Sequence, residues 1–261
     1  MRFAIAGNDV AGLTLALRLR IKGHDVVVHP ATTPVGIAEH FTVIAPFRDL
    51  FLKSGGALDE LIGLREVVEP LVIQVDGIRV ELPSAGTQVP AIALALGDSA
   101  GRQWSGLLSD AADVWSLIRT DMFTPQSSLQ RYLRSTLTDK RLHAFVTAMS
   151  PDLHPNQISN AAIVFPYLRQ TFGVWEFEGG LANFERVLRS RCTDLGIALS
   201  TDAPPNGALS VASYYDPMFR VPRRLFGQAK NSAPDTQQLG LPFVGMAAEA
   251  IANRIGRAKS E

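Results

Sequence analysis

The stretch that decides the fold is MRFAIAGNDVAGLTLALRLRIKGHDVVVHP, residues 1–30. The apolar segment RFAIA ends at Gly7, and an apolar helical stretch opens at Gly12-Leu13 and stops at Lys22-Gly23. A second apolar segment, Val26-Val27-Val28, is β-branched throughout, as strands covered on both faces tend to be. These residues predict a strand, a helix and a second strand, the βαβ unit that opens a dinucleotide-binding fold.

The glycine turn of this unit departs from the dinucleotide-binding fingerprint G-x-G-x-x-G at the second glycine. It reads Gly7-Asn8-Asp9-Val10-Ala11-Gly12. Gly7 and Gly12 keep the glycines that serve the tight turn and the helix–strand packing, but Asp9 stands where the backbone should approach the pyrophosphate. At an effective dielectric constant near 20, two negative charges ~4–6 Å apart repel by roughly 3–4 kcal/mol. The turn therefore favours the fold and disfavours the cofactor.

The end of the second predicted strand also lacks a cofactor contact. Pro30 stands where a carboxylate normally binds a ribose hydroxyl, and proline offers neither a carboxylate nor an N–H group. Loss of one such charge-assisted hydrogen bond costs about 1.5–3 kcal/mol. Together, Asp9 and Pro30 are expected to lower the affinity of the site for a dinucleotide by about three to five orders of magnitude.

Each residue of the turn has two interpretations. Gly7 and Gly12 serve turn and packing alone, or they still cradle a pyrophosphate at the helix N-terminus. Asp9 is a surface turn residue, or it is an N-cap that occupies the anion site from within. The N-cap would satisfy the amides that a phosphate otherwise would.

Composition restricts the possible functions. The 261 residues carry 25 basic and 25 acidic side chains, so charge gives no case for nucleic acid or an anionic membrane as partner. One cysteine, Cys192, excludes an internal disulfide and a multi-cysteine metal site, and the five histidines show no ligand spacing, so no metal is expected. With no secretory signal and no apolar run of ~18 residues, a cytoplasmic protein without a transmembrane segment is expected. A P-loop is also missing from the sequence, because Leu13-Thr14 stands where a lysine followed by serine or threonine is required, and this disfavours a nucleoside triphosphatase.

The segments after the first unit contain predicted strands, a hairpin and helices. Residues 40–45 predict a strand, and Asp76-Gly77 between two apolar runs predicts a β-hairpin. Residues 91–142 are helical in pattern, with predicted breaks near Gly101 and near Thr124-Pro125.

Further elements are predicted in the C-terminal half. The period of residues 161–165 does not distinguish helix from strand. A long helix is predicted over 181–195, followed by a strand at 197–199 that returns to the first sheet. A turn at 240–245 precedes a last helix at 246–257.

Four stretches together resemble FAD-dependent phytoene-desaturase-like proteins of the amine-oxidase superfamily. They occur in the family's order and cover about half of the residues. The stretches are AIAGNDVAGLTLALRLRIKGHDVVV, then APFRDLFLKSGGALDELIGL with VDGIRVELP, then FGVWEFEGGLANFERVLRSRCTDLGIAL, and finally LGLPFVGMAAEAIANRIG.

The resemblance implies an α/β protein with a Rossmann-like FAD-type dinucleotide-binding fold and an inserted smaller α+β domain. The FAD-type domain is expected at 1–50 and 181–261, and the inserted substrate or cap domain at 51–180. Relatives act on apolar substrates such as polyenes and other isoprenoids. The chain is about half the family's usual length, with most of the loss expected between Asp216 and Asn231, which makes a homo- or hetero-oligomer plausible as a hypothesis.

The resemblance also assigns site residues. FAD would contact the turn before the first helix and the turn before the last helix. The residues assigned to it are Gly7, Asp9, Val10, Ala11 and Gly12 in the first turn and Gly240, Pro242, Val244 and Gly245 in the second. The C-terminal turn, like the first one, has lost family glycines and keeps only Gly240 among residues 236–240. Gly179-Gly180 would lie near the flavin ring, or they form a strand-to-helix turn only.

Two carboxylates and one basic patch complete the candidates. Glu176 and Glu178 are expected on one face of a strand and would supply a general acid/base if the chain catalyses without redox chemistry. Arg220, Arg223 and Arg224 form a solvated loop or a docking surface for a partner.

Three functional hypotheses follow. The first is a shortened flavoprotein-fold relative with weakened or lost FAD binding, which acts as a binding or partner protein or as a cofactor-free enzyme on an apolar ligand. The second is a functional FAD-dependent oxidoreductase that tolerates the altered turn. The third is an NAD(P)-binding protein, ranked last because Pro30 offers nothing to the adenosine ribose.

Overall fold

A computed structural model describes residues 1–31, 36–37, 39–119, 128–149, 160–211 and 238–258. The chain forms two compact units, the first comprising Met1–Arg65, Trp175–Tyr215 and Gln238–Glu261 and the second comprising Glu66–Val174 and Asp216–Gln237. The elements in chain order are β1 (Arg2–Ala6), α1 (Val10–Ile21), β2 (Asp25–His29), β3 (Gly36–Ile37), α2 (Ala45–Ser54), α3 (Leu58–Leu61), β4 (Leu64–Glu66), β5 (Leu71–Val75), β6 (Ile78–Leu82), α4 (Val89–Leu96), α5 (Asp98–Arg119), α6 (Leu129–Thr136), α7 (Arg141–Met149), a 3-10 helix (Asn160–Ile163), α8 (Val164–Phe172), β7 (Trp175–Phe177), α9 (Gly180–Asp194), β8 (Ala198–Leu199), β9 (Gln238–Leu239) and α10 (Leu241–Ile255).

The predicted βαβ unit forms the centre of the first unit. β1 and β2 are parallel, with Arg2 opposite Asp25 and Ala6 opposite His29. β8 pairs with β2 in parallel, which confirms the predicted return to the first sheet. On the other side of β1, Leu209 forms a parallel bridge to Ile5. The described sheet is therefore parallel, and β1 lies inside it.

Helix α1 is buried on all its faces, because its sequence is apolar all round. Leu13, Leu15, Leu17 and Leu19 are fully buried. The helix packs against β1 and β2 and also against α2, α9 and α10. Arg18 is carried into the same buried environment and is only 4% exposed.

An aromatic cluster joins α2, β7 and α9 in the first unit. Phe177 stacks on Phe184 with ring centroids 4.1 Å apart. Phe184 in turn meets Phe47 edge to face at 5.1 Å, and Phe41 lies 4.7 Å from Phe177. These rings hold the strand-to-helix turn at Gly179-Gly180 against the rest of the unit.

Two predictions for the first unit are wrong. Residues 40–45 do not form a strand: Phe41 exchanges backbone hydrogen bonds with Trp175, and the chain then enters α2 at Ala45. The last helix begins at Leu241 rather than at 246, because Gly240 caps it and Pro242 fits its first turn. The predicted turn at 240–245 is therefore helical beyond Gly240.

The second unit contains the predicted hairpin. β5 and β6 are antiparallel around Asp76-Gly77, both of which have positive φ, as a tight two-residue turn requires. The predicted helix break lies at Gly97 rather than at Gly101: α4 ends at Leu96 with Gly97 as its C-cap, and Gly101 lies inside α5, where a Cβ would come within 2.8 Å of the Ala93 Cβ. The break predicted near Thr124-Pro125 lies outside the described residues. Residues 161–165 are helical.

A buried polar group lies in the core of the second unit beside the fully buried Trp104. The Gln88 side-chain oxygen accepts a hydrogen bond from the Trp104 indole at 3.2 Å, and its amide donates to the Pro166 carbonyl at 3.3 Å. The Gln170 side chain accepts from the Gln88 backbone N–H at 3.0 Å. Within the described parts of the chain, no helix combines the length and apolarity needed to cross a bilayer.

Candidate functional site

The turn between β1 and α1 needs glycine at both of its ends. Gly7 has φ +128°, a region that L side chains rarely adopt, and its N–H donates to the His29 carbonyl at 3.0 Å. A Cβ on Gly12 would collide with the Gly7 carbonyl oxygen. The two glycines therefore let α1 begin directly against the end of β1. This is the turn and packing role that is one of the two interpretations of these glycines.

Asp9 is the N-cap of α1. Its backbone is extended, and its Oδ1 accepts a hydrogen bond from the Gly12 N–H at 3.0 Å. Of the two interpretations of Asp9, the structure has the N-cap. The carboxylate therefore occupies a backbone amide of the kind that a phosphate would use at this helix end. Val10 and Ala11, the next two residues, are buried at 4% and 2% exposure.

A cation from α9 also reaches this turn. The Arg189 guanidinium donates to the Asn8 carbonyl at 2.6 Å and to the Glu185 carboxylate at 2.7 Å. Glu185 balances the charge of Arg189, so the pair adds a positional contact rather than a free positive charge. The sequence analysis missed Arg189, although its spacing of four residues from Glu185 is a recognisable helical ion pair.

The ribose side of the candidate site has no side-chain ligand at Pro30. The preceding His29 places its Nδ1 3.2 Å from the Asp202 carbonyl oxygen. At this end of the sheet, the Gly12 amide is bonded to the Asp9 carboxylate, and the residue that follows β2 is a proline rather than a carboxylate.

The C-terminal residues assigned to the cofactor lie at the start of α10. Gly240 is its N-cap, and the Gly240 carbonyl accepts from the Phe243 N–H at 3.0 Å. Pro242, Val244 and Gly245 are buried, and a Cβ on Gly245 would come within 2.8 Å of a side-chain atom of α2. These residues pack α10 within the unit, and their cofactor role stays a prediction.

Glu176 lies in an ion-pair cluster at the surface of the first unit. Its carboxylate accepts a hydrogen bond from the Arg65 Nε at 2.7 Å and lies 3.3 Å from the His40 Nε2. The Arg65 hydrogen bonds hold the pKa of Glu176 below its usual value, and His40 acts in the same direction. An ionised carboxylate held in this way is a poor general acid, and its catalytic role stays a prediction.

Glu178 is exposed and lies at the turn into α9. Its side chain covers Gly63, and its backbone N–H donates to the Gly63 carbonyl at 2.9 Å. Gly179 and Gly180 both have positive φ and form the strand-to-helix turn, closed by the Asn183 amide on the Glu178 carbonyl at 2.7 Å. The structure therefore assigns these glycines a backbone role.

The remaining sequence predictions concern metal ligands and the basic patch. Among the described residues, no cluster of three or more histidine, cysteine, aspartate or glutamate side chains could hold a metal ion. The arginines at 220, 223 and 224 lie outside the described residues.

Comparison with curated proteins shows similarity to a desaturase over part of the chain. No family model matches the chain. The all-trans-zeta-carotene desaturase of Myxococcus xanthus is 33% identical over 92 residues, which is 34% of this chain and 17% of the desaturase. This match supports a distant relationship to desaturase-type oxidoreductases.

Comparison with solved structures gives the fold. An oxidoreductase from Methanosarcina mazei matches with a TM-score of 0.51 and 16% identity over 77% of this chain and 51% of that protein. A tryptophan halogenase from Shewanella frigidimarina is similar at a TM-score of 0.32, with 12% identity over 77% of this chain and 36% of the halogenase. The chain therefore shares a fold with the archaeal oxidoreductase and spans about half of its length.

Proposed function

We propose that this chain is a flavoprotein-fold relative of phytoene-desaturase-like oxidoreductases in which FAD binding is weakened or lost. It acts as a binding or partner protein for an apolar, isoprenoid- or polyene-like ligand, or as a cofactor-free enzyme on such a ligand. The sequence match to a carotene desaturase and the parallel β1–α1–β2 unit support the relationship.

The observation that carries the proposal is the Asp9 cap. A pyrophosphate at the N-terminus of α1 would have to displace the carboxylate from the Gly12 N–H, and an N-cap of this kind is worth about 1 kcal/mol. The displaced carboxylate would then repel the pyrophosphate by roughly 3–4 kcal/mol at ~4–6 Å. Both terms oppose binding, and Pro30 supplies no compensating ribose contact.

The class of ligand follows from the relative rather than from the turn. The M. xanthus relative is a desaturase of zeta-carotene, which is an apolar polyene. We infer that the inserted segment predicted at 51–180 binds a ligand of this class. The parallel sheet and the glycine turn would then no longer bind FAD and would serve only to support the fold that carries the inserted segment.

The experiment compares FAD binding in the wild type and in the Asp9→Gly/Pro30→Glu variant. Quenching of flavin fluorescence reports binding in a titration of each protein. We expect no saturable quenching by the wild type and measurable binding by the variant. Matched control exchanges are Asp98→Gly/Pro90→Glu in the second unit, which should bind no better than the wild type.

Tight FAD binding by the wild type would overturn the proposal and favour the second candidate, a working FAD-dependent oxidoreductase. The intact backbone geometry at Gly7 and Gly12 is the observation that favours this alternative. Failure of both proteins to bind would show that more than these two residues separates the chain from a flavoprotein, and would leave loss of FAD binding in place.

A further inference from the structure

The first unit contains a cavity of about 150 Å³ beside the C-terminal ends of α1 and α10. Four cationic side chains line it, from α1, from α2 and from the residues that follow α1 and α10. The polar residues of its wall are Arg18, Lys22, Lys53, Arg257, Glu249 and Asn253. Four cations and the Glu249 carboxylate line the cavity, and a second carboxylate, Asp49, pairs with two of the cations, Arg18 and Lys53.

Arg18 is the fixed part of this wall. It is 4% exposed, because α1 is buried on all faces. Its guanidinium donates to the Asp49 carboxylate at 2.5 Å and to the Pro46 carbonyl at 2.7 Å, and lies 3.5 Å from Glu249. Its Nε is buried and has no hydrogen-bond partner among the described residues. A cation held rigidly by neighbouring groups needs little further ordering when it meets an anion.

Lys53 belongs to the same network. Its Nζ lies 2.8 Å from an Asp49 oxygen, one turn away on α2. Burial acts to raise the pKa of Asp49, but the hydrogen bonds from Lys53 and Arg18 outweigh it and hold that pKa below its usual value. Asp49 is therefore ionised at neutral pH and balances part of the charge of these two cations.

Lys22 and Arg257 carry the remaining positive charge. Lys22 follows the last residue of α1, and Arg257 lies two residues beyond the end of α10. Neither side chain forms an ion pair within the part of the chain that the structure describes. The segment that carries Arg257 is fixed to α1, because the Ala258 N–H donates to the Lys22 carbonyl at 3.0 Å.

We propose that this cavity is a binding site for a phosphate group carried by a small molecule. Guanidinium and ammonium groups are the usual protein partners of phosphate, the first as a planar fork and the second as a point charge. A volume of about 150 Å³ is below the range of about 300–1,000 Å³ that holds drug-sized ligands, so it suits a phosphate group and not a dinucleotide.

A competing explanation is that the cations only complement the helix ends. The C-terminus of a helix carries partial negative charge, and basic side chains stabilise it without any ligand. This explanation predicts that Lys22 and Arg257 affect stability equally in phosphate and in chloride. The phosphate site predicts a phosphate-specific effect that depends on these two residues.

The test is isothermal titration calorimetry of the full chain with inorganic phosphate at constant ionic strength, up to about 10 mM, with chloride as the reference anion. The test variant is Lys22→Gln/Arg257→Gln. The control variant, Arg102→Gln/Lys140→Gln, removes two exposed cations of the second unit. Vesicles of phosphatidylcholine with and without phosphatidic acid provide the same phosphate group on a lipid.

We expect the wild type and the control variant to bind inorganic phosphate and the test variant to bind at least about tenfold more weakly, since each removed cation takes one charge-assisted contact with it. If the wild type binds vesicles with phosphatidic acid but not inorganic phosphate, and the test variant does not bind them, the site is supported and its phosphate group belongs to a lipid. No binding of either form, or equal binding by the test variant, would overturn the proposal. FAD is not used in this test, so its outcome is independent of the proposed function.

Discussion

Asp9 and Gly12 are joined by a hydrogen bond of 3.0 Å, from the Gly12 backbone N–H to the Asp9 Oδ1. The side chain thereby supplies, from within the chain, the negatively charged acceptor that a phosphate supplies at the N-terminus of a helix in dinucleotide-binding proteins. The turn around this bond retains the two glycines that its backbone geometry requires. The turn therefore keeps the backbone geometry of the β1–α1 junction while a carboxylate of the chain itself caps the start of α1.

The cap makes a measurable contribution to stability. We expect Asp9→Ala to lower the free energy of unfolding by about 1 kcal/mol, because the Gly12 N–H loses its side-chain acceptor. Chemical denaturation followed by circular dichroism measures the change. Asp9→Asn keeps an acceptor oxygen and should stay within a few tenths of a kcal/mol of the wild type. Equal loss in both variants would mean that the hydrogen bond is not the source of the effect.

Gly12 is the least replaceable residue of the turn. Gly12→Ala places a Cβ against the Gly7 carbonyl oxygen, where the backbone must shift, and should cost more than about 3 kcal/mol or prevent folding. The matched control is Gly106→Ala on the exposed face of α5, where a Cβ meets nothing within 4 Å. That exchange should stabilise the protein by about 0.5–1 kcal/mol in the same denaturation experiment. A tolerated Gly12→Ala would contradict the close approach of α1 to the turn.

The ion pairs of Glu176 predict an acid-dependent stability. Because its folded pKa is lowered, chiefly by Arg65, Glu176 stabilises the fold above the usual pKa of 4.5 and loses this contribution as the pH falls through the folded value. Glu176→Gln should therefore be less stable than the wild type near about pH 6, and the difference should vanish at low pH. Denaturation curves across this range measure it. Glu178→Gln, two residues away and exposed, is the control, and a pH profile of Glu176→Gln parallel to the wild type would refute the assignment.

Cys192 is a buried structural thiol. Burial raises its pKa to about 12, against a weaker opposing effect of Arg189, and its Sγ lies 3.8 Å from the Leu13 carbonyl oxygen between α9 and α1. A thiol reagent such as DTNB should therefore react slowly with the native protein at about pH 8 and rapidly after unfolding in guanidinium. Equally fast labelling of the native protein would show that α1 and α9 separate readily.

Local patterns were sufficient to predict the centre of the first unit. The β-branched run at 26–28 and the glycine offsets between Gly7 and Gly12 act over a few residues, so β1, α1 and β2 could be derived without tertiary information. The two wrong predictions in this unit concern segments whose structure depends on tertiary contacts rather than on local composition. Residues 40–45 have strand composition but pair only at Phe41, and Gly240-Leu241-Pro242 has turn composition but begins a helix.

Other features depend on residues that are distant in sequence. The choice between a surface residue and an N-cap for Asp9 depends on its side-chain orientation, which no pattern fixes. Arg18 lies inside an apolar helix, so its burial was accessible from the sequence, but its partner Asp49 is 31 residues away. The cation cluster around it combines α1, α2 and the end of α10, and only the packing of these helices reveals it.

The most direct test of the central claim is the visible absorption spectrum of the purified wild type after incubation with FAD and desalting. With Asp9 on the Gly12 amide and Pro30 at the end of β2, we predict a colourless protein with no flavin bands. The Asp9→Gly/Pro30→Glu variant, treated in parallel, tests whether these two residues alone close the site. Flavin bands that remain with the wild type would contradict the account and make this chain an FAD-dependent oxidoreductase.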